Sequence, residues 1–489
     1  GWLDPETGWL RGIPPGLTHV SALILTSLPA ESLSAAGRYR VTWAGQGTLR
    51  LSGGATVVSQ RPGELWFDYA PNPGTVMLDI TAIDPADPIR DIAVVHERNI
   101  AAHAAGEIFD PLYLSRLRGV RMVRFMDWAQ TNGSPIATVD DLPRVTDYQW
   151  TRRGVPLEIQ IALANRLGAD AWFNVPHLAD DALIRHMAVT VRDTLDPSLK
   201  AYVEFSNEVW NFGFAQAQWA EEQGRARWGQ PGLYAEYYAL RTVETGAIWA
   251  EVFGDAAPQR LRRVIATQTG WIGREDAILN APTWAAEVGP GFVPPWQRTD
   301  AYAIAGYFGY KLGEGAKAEM ARRWIRDSRR AAGAAARAQG LTGSAWAAYV
   351  EAHKFDRARA LAAQELRDGS LSGNDDDALT RVLGDFLPHH ARLAAAHGHE
   401  LVMYEGGQHV VGIGPWMEDD DLSEFFVDLN FSAEMGALYR DLMDGWAAIS
   451  PAPFMDFGEI QGAGRYGSWG ALRHPTDDNP RWRALVAAR

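Results

Sequence analysis

From residue 110 onward, segments with the pattern of a buried strand alternate with segments that have the pattern of a helix. Alternation of this kind predicts a parallel sheet, because parallel strands need a crossover helix between them. The strand-like segments are short and rich in β-branched and aromatic residues. They lie at 120–126, 171–177, 202–205, 263–268, 301–307, 401–405 and 454–457. So many repeats favour an α/β fold of the (β/α)8, or TIM-barrel, type.

Two of these strand-like segments end in a carboxylate. The segment 202–205 leads directly into Ser206-Asn207-Glu208, and the apolar run 401–404 leads into Glu405 and a glycine pair. In a parallel barrel the carboxyl ends of the strands meet on one face, so both side chains are expected there. Glu208 has an amide on one side and Trp210 on the other. Apolar surroundings of that kind suit a carboxyl group that has to hold a proton.

A pair of carboxyl groups on one face is the minimal equipment for glycoside hydrolysis. In a retaining enzyme the groups stand about 5–5.5 Å apart, and one attacks the anomeric carbon while the other protonates the leaving oxygen. The structural alternative is that Glu208 caps a helix and that Glu405 pairs with an arginine. The catalytic interpretation is preferred because the surrounding strand pattern repeats around a whole barrel.

Asn207-Glu208 on one strand and Glu405 on a later one resemble the clan A glycoside hydrolases, the retaining (β/α)8 enzymes related to cellulases and mannanases. The resemblance covers about residues 110–489. It implies that Glu208 ends the fourth strand and is the acid/base, and that Glu405 ends the seventh strand and is the nucleophile. It also implies a mechanism that needs no metal ion and no cofactor.

The resemblance implies further contacts around Glu405. Arg124 and His177, at the ends of the second and third strands, match positions that hold the nucleophile and the sugar hydroxyls. Tyr307 or Tyr310, at the end of the sixth strand, is expected to donate a hydrogen bond to Glu405. Such donors favour the ionised form that attack requires.

The remaining candidate residues are expected to contact the sugar. Asn207 is expected to bind the 2-hydroxyl, a contact that strengthens in the transition state. Trp469, after the eighth strand, is the expected stacking platform for the sugar that is cleaved. Trp210 and Trp271 are candidates for neighbouring subsites, with core packing as an equal alternative. Three more strand-end residues are expected to line the cleft: Asp127, Trp128 and Glu459.

These expectations converge on a retaining glycoside hydrolase that cleaves a β-linked polysaccharide internally. β-Glucan is the first expected substrate, followed by mannan or xylan. The preference for internal cleavage rests on the habit of the clan and on the 20 tryptophans, since indole rings stack on sugars. The alternatives are an α-L-arabinofuranosidase of the same clan and a non-catalytic carbohydrate-binding barrel. The second alternative requires that one carboxylate be missing, and both are present.

Composition limits the other possibilities. The 489 residues carry a net charge of -14, which argues against a nucleic-acid partner. The chain contains no cysteine, which excludes thiol nucleophiles and Cys-based zinc sites. It has no apolar run long enough to span a membrane. A secreted or periplasmic protein of bacterial type whose signal peptide has been removed is expected, because polymeric glycans are met outside the cytoplasm. The oligomeric state is not predicted.

Residues 1–100 have a different pattern from the barrel at 101–489. Alternating apolar and polar residues at 37–43, 47–51, 64–69 and 75–81 predict a small antiparallel β-sandwich. Its aromatic residues either fill the core or form a sugar-binding face: Trp43, Trp66, Phe67 and Tyr69. The first barrel strand is ambiguous. It lies either at 92–95 or within residues 1–25 with the sandwich inserted after it.

Two further segments stand apart from the barrel pattern. Residues 314–368 are rich in Ala and Arg and predict a helical insertion between the sixth and seventh strands. This insertion either walls the cleft or lies at the periphery. The run Asp419-Asp420-Asp421 predicts a solvated acidic loop, with a calcium site as the alternative.

Overall fold

The computed structural model describes residues 1–72 and 74–489, which form two regions with separate apolar cores. The N-terminal region contains two antiparallel sheets and the C-terminal region a parallel one. Trp9 of the first region donates its indole N–H to the carbonyl of Thr146 in the second, at 3.1 Å. In the described part of the chain, no helix combines the length and the apolar character needed to cross a membrane.

The N-terminal region has seven strands in two sheets that share one core. The strands are β1 (Val20–Ile24), β2 (Gly37–Ala44), β3 (Gly47–Gly53), β4 (Ala55–Arg61), β5 (Glu64–Tyr69), β6 (Val76–Ile83) and β7 (Arg90–His96). One sheet has the order β1-β6-β3 and the other β4-β5-β2-β7, and all pairs are antiparallel. Alternate residues of β2 and β5 point into the core, as half-buried strands require.

Three of the four aromatic residues predicted in this region fill its core. Trp43, Phe67 and Tyr69 are buried in the apolar cluster, and Trp66 is half-buried with its indole N–H donated to Glu64. Core packing is therefore the alternative that the structure supports for Trp43, Phe67 and Tyr69, whereas Trp66 lies on the other face of β5, outside the apolar cluster.

Six strands form the parallel sheet of the C-terminal region, in a nearly closed barrel. They are β8 (Met122–Arg124), β9 (Asp170–Val175), β10 (Ala201–Phe205), β11 (Leu261–Ala266), β12 (Ala301–Phe308) and β13 (Glu400–Gln408), and they are hydrogen-bonded in that order. The two outer strands approach each other, since Arg124 of β8 lies 3.5 Å from Glu405 of β13. Every residue of β10 is buried, as expected for a parallel strand covered on both faces.

The predicted eight-stranded closure is only partly present. The eighth predicted strand, 454–457, contributes a single parallel bridge between Gly406 and Asp456. Both candidate places for the first strand are wrong. Residues 92–95 belong to β7, which pairs with β2, and residues 1–25 contain β1, which pairs with β6. Both segments pair antiparallel in the N-terminal sheets instead.

The helices surround the parallel sheet and supply its crossovers. Those before β12 are α1 (Ile100–Ala104), α2 (Pro111–Arg116), α3 (Leu157–Leu167), α4 (Asp181–Thr194), α5 (Ala215–Trp228), α6 (Tyr234–Phe253), α7 (Ala257–Arg260), α8 (Arg274–Asn280) and α9 (Pro282–Val288). Those after β12 are α10 (Gly315–Ala338), α11 (Gly343–His353), α12 (Asp356–Asp368), α13 (Leu379–Arg381), α14 (Leu387–His397), α15 (Asp420–Asn430), α16 (Ala433–Ile449) and α17 (Pro480–Ala487).

The predicted insertion consists of helices α10, α11 and α12. Ion pairs connect α10 to the start of α15. Arg322 binds Asp419 at 2.7 Å and Arg329 binds Asp421 at 2.9 Å. Asp420 binds Arg465 at 3.2 Å, and Asp419 also caps α15 by accepting from the Leu422 amide. The three aspartates thus form arginine pairs and a helix cap, and the described residues contain no group of metal-ligating side chains at this place.

Candidate active site

The turn after β10 brings Asn207 and Glu208 to the carboxyl end of the barrel in a strained backbone. Ser206 has a φ of 59° and Glu208 a φ of 41°, in the left-handed region that non-glycine residues rarely adopt. Side-chain amides hold the turn: Asn174 donates to the Ser206 carbonyl and Gln216 to the Asn207 carbonyl, each at 2.8 Å. Strain kept in place by such contacts is characteristic of functional sites.

A β-bulge in β13 places two consecutive side chains at the same site. Ile304 pairs with Met403 and Ala305 with Glu405, so Tyr404 is an extra residue in the ladder. A bulge re-aims side chains that would otherwise alternate between faces. The Tyr404 hydroxyl accordingly donates to Glu208 Oε1 at 3.0 Å, while the neighbouring Glu405 carboxylate faces Arg124. Tyr404 thus connects the two candidate catalytic strands.

Arg124 is the buried centre of the charge network. Its Nη2 donates to Glu204 Oε2 and to Asn207 Oδ1, both at 2.8 Å, and its Nη1 lies 3.5 Å from Glu405 Oε2. Glu204 Oε2 also accepts from the Trp172 indole at 2.9 Å. Glu204 therefore holds the guanidinium in the orientation that serves the other two groups.

Burial sets the ionisation of Glu405. Removal from water raises the pKa of Glu405 to about 8, and the Arg124 charge opposes this rise while the Glu208, Glu204 and Asp127 carboxylates add to it. Glu405 therefore gains its charge only as the pH approaches the alkaline range.

Three aromatic rings gather around His409, the residue that follows β13. The His409 ring lies edge-on to Trp469 at 4.8 Å, to Tyr310 at 5.0 Å and to Tyr307 at 5.6 Å between centroids. Trp469 is fixed by donating its indole N–H to the Tyr466 carbonyl at 2.8 Å. The structure thus brings Tyr307, Tyr310 and Trp469 together around a histidine that the sequence analysis missed.

Tyr307 lies within the field of both carboxylates. Burial, followed by the charges of Glu405, Glu208 and Asp456, raises the pKa of Tyr307 well above its usual value, so its hydroxyl keeps its proton. Tyr310 is more exposed and begins the turn that follows β12. Among the described residues, neither tyrosine forms the predicted hydrogen bond to Glu405, whose Oε2 has no hydrogen-bond partner. Tyr307 is the less exposed of the two.

The two other predicted tryptophans differ in their surroundings. Trp210 is buried and packs against Tyr238 and Tyr404, with ring centroids 5.9 and 6.2 Å apart. Its core-packing alternative is the one that the structure supports, since no open face remains for a sugar. Trp271, after β11, is 51% exposed, and the Arg274 guanidinium lies 3.9 Å from its ring centroid.

The remaining predicted residues lie at the strand ends with different contacts. His177 is buried edge-on to Trp219 at 5.5 Å, and burial lowers the pKa of His177. Glu459 accepts a hydrogen bond from the Tyr113 hydroxyl at 2.8 Å. Trp128 is half-buried against Phe125. Solvent reaches Asp127, yet the surrounding protein removes enough water to raise the pKa of Asp127 despite the nearby Arg124 charge.

A cavity of about 270 Å³ opens beside this site, where the first strand of an eight-stranded barrel would lie. It runs between β8 and residues 453–459, and Tyr404, Glu405, Asp127, Trp128 and Glu459 contribute to its lining. Within the described chain, no residue of the 314–368 insertion lines this cavity. The insertion is therefore peripheral to it.

Several buried polar atoms at the carboxyl ends of the strands have no hydrogen-bond partner among the described residues. They follow β9, β10 and β11 or belong to β13 and its continuation, and they are His177 Nδ1, Ser206 Oγ, Thr267 Oγ1, Gln268 Oε1, Glu405 Oε2 and His409 Nδ1. Buried polar groups normally have partners.

Sequence reasoning overlooked three side chains of this site, although each is recognisable by its position in the chain. Glu204 is a charged residue inside an otherwise apolar strand, Tyr404 immediately precedes the predicted nucleophile, and His409 follows the same strand.

Comparisons with protein-family models, with curated proteins and with solved structures find no match for this chain.

Proposed function

We propose that this protein is a retaining glycoside hydrolase that cleaves a β-linked polysaccharide, with β-glucan as the first candidate substrate. The observation that carries the proposal is the proximity of Glu208, after β10, and Glu405, in the last half of β13. Tyr404, the neighbour of Glu405, donates to Glu208, and Arg124 lies 3.5 Å from Glu405. The fold proposed is a (β/α)8-type barrel in which strand positions two to seven are formed. A secreted or periplasmic location is proposed with it, because such polymers are met outside the cytoplasm.

The proposed reaction is a double displacement. Glu405 attacks the anomeric carbon while Glu208 donates its proton to the leaving oxygen, and a glycosyl ester forms on Glu405. Glu208 then removes a proton from water, which attacks the same carbon and releases the sugar with its original configuration. Arg124 stabilises the charge of Glu405 before attack and after release.

Asn207 is held ready for a sugar hydroxyl. Its Oδ1 accepts from Arg124 at 2.8 Å, and its Nδ2 donates one N–H to Asn132 at 3.1 Å. A side-chain amide has a second N–H. We propose that this N–H reaches the 2-hydroxyl, and that the two protein contacts fix its direction in advance.

Mannan, xylan and α-L-arabinofuranoside remain alternative substrates of the same chemistry. A non-catalytic carbohydrate-binding barrel is the alternative of a different class. The strained turn at Glu208 and the raised pKa of Glu405 argue for catalysis, because a binding surface needs neither.

Replacement of each carboxylate tests the proposal. Glu405→Ala and Glu208→Ala are each expected to lower kcat on the cleaved polysaccharide by about three orders of magnitude or more, since each removes a reacting group. Reducing-sugar release from β-glucan, mannan, xylan and arabinan measures the effect. Azide is expected to restore turnover of an activated aryl glycoside by Glu405→Ala, with inverted product configuration.

Glu418→Ala is the matched control, because this glutamate is largely exposed on another loop. Circular dichroism must show that all three variants are folded. A folded Glu405→Ala protein with near-normal turnover would exclude Glu405 as the nucleophile.

A further inference from the structure

The proposed double displacement assigns no role to Tyr404, although this side chain contacts Glu208 directly. Its hydroxyl donates to Glu208 Oε1 at 3.0 Å, and only 2% of Tyr404 is exposed. The β-bulge in β13 brings it to this place, since Tyr404 and Glu405 would lie on opposite faces of a regular strand. Tyr404 is thus a buried polar group of the site whose contribution has to be explained.

Two aromatic and cationic contacts fix the ring of Tyr404. The Arg124 guanidinium lies 5.3 Å from the ring centroid, and the centroid of the Trp210 ring lies 6.2 Å from it. The side chains of both neighbours are buried. Close packing of this kind leaves a side chain few alternative rotamers, so the Tyr404 hydroxyl is held against Glu208.

The Tyr404 hydroxyl acts as a donor in this setting. Burial, followed by the charges of Glu208 and Glu405, raises the pKa of Tyr404 well above its usual value, so the oxygen keeps its proton. A phenol has one proton to donate, and Glu208 Oε1 receives it. Glu405 Oε2 has no hydrogen-bond partner among the described residues. The hydroxyl therefore distinguishes between the two carboxyl groups and acts on Glu208.

Both oxygens of the Glu208 carboxyl group accept a hydrogen bond. Oε1 accepts from Tyr404, and Oε2 accepts from the Asn211 side-chain amide at 3.1 Å. Asn211 belongs to the same turn as Glu208, whereas Tyr404 lies 196 residues further along the chain, so Tyr404 links Glu208 to a different element. Three other titratable side chains interact electrostatically with Glu208 but, among the described residues, form no hydrogen bond with its carboxyl group: Glu405, Tyr307 and His409.

We propose that Tyr404 is a positioning residue for the acid/base, which directs the Glu208 carboxyl group and stabilises the carboxylate that forms when Glu208 gives up its proton. This inference rests on the proposed function and deepens it. In the first step, Glu405 bonds to the anomeric carbon while the bond to the leaving oxygen breaks, and that oxygen takes the proton of Glu208. The negative charge left on Glu208 strengthens the hydrogen bond from Tyr404. A contact that strengthens in the transition state lowers the barrier.

Tyr404→Phe tests this role, because it removes the hydroxyl and keeps the ring against Arg124 and Trp210. The substrates are aryl glycosides of the sugar whose polysaccharide the wild type cleaves. We expect kcat/KM to fall about 10- to 100-fold when phenol is the leaving group, and less than about threefold when it is dinitrophenol, which leaves without protonation. The alkaline limb of kcat/KM for the phenyl glycoside should move to higher pH by about one unit, because ionised Glu208 loses a donor.

Tyr202→Phe is the matched control. Tyr202 is 1% exposed and donates to Glu400 at 3.1 Å near the amino end of β10, so this variant also removes a buried hydroxyl that binds a carboxylate. Circular dichroism should show that both variants are folded. Only Tyr404→Phe should change the ratio of the two kcat/KM values and the alkaline limb.

A measurement without substrate separates failure of this role from failure of the proposed function. In NMR titrations of protein labelled at its glutamate carboxyl carbons, the Glu208 signal is the one missing from Glu208→Gln. Its titration should move to higher pH in Tyr404→Phe and stay in place in Tyr202→Phe. An unmoved titration, or equal losses of kcat/KM for the two leaving groups, would overturn the role of Tyr404 and leave the proposed function intact. A titration that moves as expected, in a protein that cleaves none of the four polysaccharides, would overturn the proposed function and retain the coupling of Tyr404 to Glu208.

Discussion

Arg124 is shared between two buried carboxylates, and this sharing is unequal. Its Nη2 is hydrogen-bonded to Glu204 at 2.8 Å, whereas its Nη1 lies 3.5 Å from Glu405. One guanidinium charge that already serves Glu204 cannot fully offset the desolvation of a second buried carboxylate. The pKa of Glu405 is consequently raised to about 8, mainly by burial. Burial therefore keeps Glu405 protonated to a higher pH than an exposed glutamate.

The acid limb of the pH profile should respond to Asp127. The Asp127 carboxylate raises the pKa of Glu405, so Asp127→Asn removes a negative charge and lowers that pKa. Attack needs ionised Glu405, and kcat/KM reports the free enzyme. The limb on which kcat/KM rises with pH should therefore move to lower pH, by a few tenths of a unit to about one unit.

Asp140→Asn is the control for this experiment, because Asp140 is exposed on a neighbouring loop. Its acid limb should coincide with that of the wild type. An unmoved or alkaline-shifted limb in Asp127→Asn would mean that Glu405 does not control the acid limb.

At the residue scale, the sequence predicts positions better than it predicts partners. Arg124, Asn207 and Glu208 lie at strand ends as predicted, because a parallel barrel gathers the ends of its strands, whereas β13 continues three residues beyond Glu405. The role of Glu204 in holding Arg124 could be recognised only from the hydrogen bonds of the folded protein. A glutamate in a buried strand is visible in the sequence, but the sequence does not show that it faces an arginine on another strand.

The turn after β10 stores backbone strain at the element scale. Glu208 has a φ of 41°, where a Cβ atom is disfavoured and glycine is not. We expect Glu208→Gly to be about 1 kcal/mol more stable than Glu208→Ala in denaturant unfolding, although both should be inactive. The comparison isolates the Cβ, since both variants lack the carboxylate.

Glu222 provides the reciprocal control. It is exposed on helix α5, where alanine is favoured, so Glu222→Gly should be about 1 kcal/mol less stable than Glu222→Ala. If Glu208→Ala matched or exceeded Glu208→Gly in stability, the left-handed conformation of this turn would not be strained.

The elements themselves were largely predictable, and the exceptions have physical causes. The central barrel strands follow from buried apolar runs between helices. Residues 92–95 have a similar apolar pattern, and one alternative places them in the barrel. They pair antiparallel in β7 instead, and the pattern could not show this because an apolar run does not reveal its partner strand. The bulge at Tyr404 is equally hidden, since it depends on the register between β12 and β13.

Two separate cores should give the whole molecule two unfolding units. Leu65 is fully buried in the N-terminal core and Leu438 is fully buried in the barrel core. Leu65→Ala and Leu438→Ala should each destabilise their own region by about 2–5 kcal/mol. In scanning calorimetry, each substitution should lower the midpoint of one transition by several degrees and leave the other in place.

Glu418→Gln is the control for this comparison, since it changes a largely exposed side chain and should leave both midpoints in place. A single transition that both leucine substitutions lower equally would show that the two cores unfold together as one cooperative unit.

Side chains, and not backbone hydrogen bonds, bring the two outer strands of the parallel sheet together, which has a consequence for the proposed catalytic cycle. The first and last strands of the sheet meet through Arg124 and Glu405, a charge pair in place of a backbone ladder. When Glu405 becomes a neutral glycosyl ester in the proposed mechanism, that attraction is lost, and it returns only after hydrolysis. Under the proposed mechanism, the contact between β8 and β13 is therefore weakest while the glycosyl ester exists, and hydrolysis of the ester restores it.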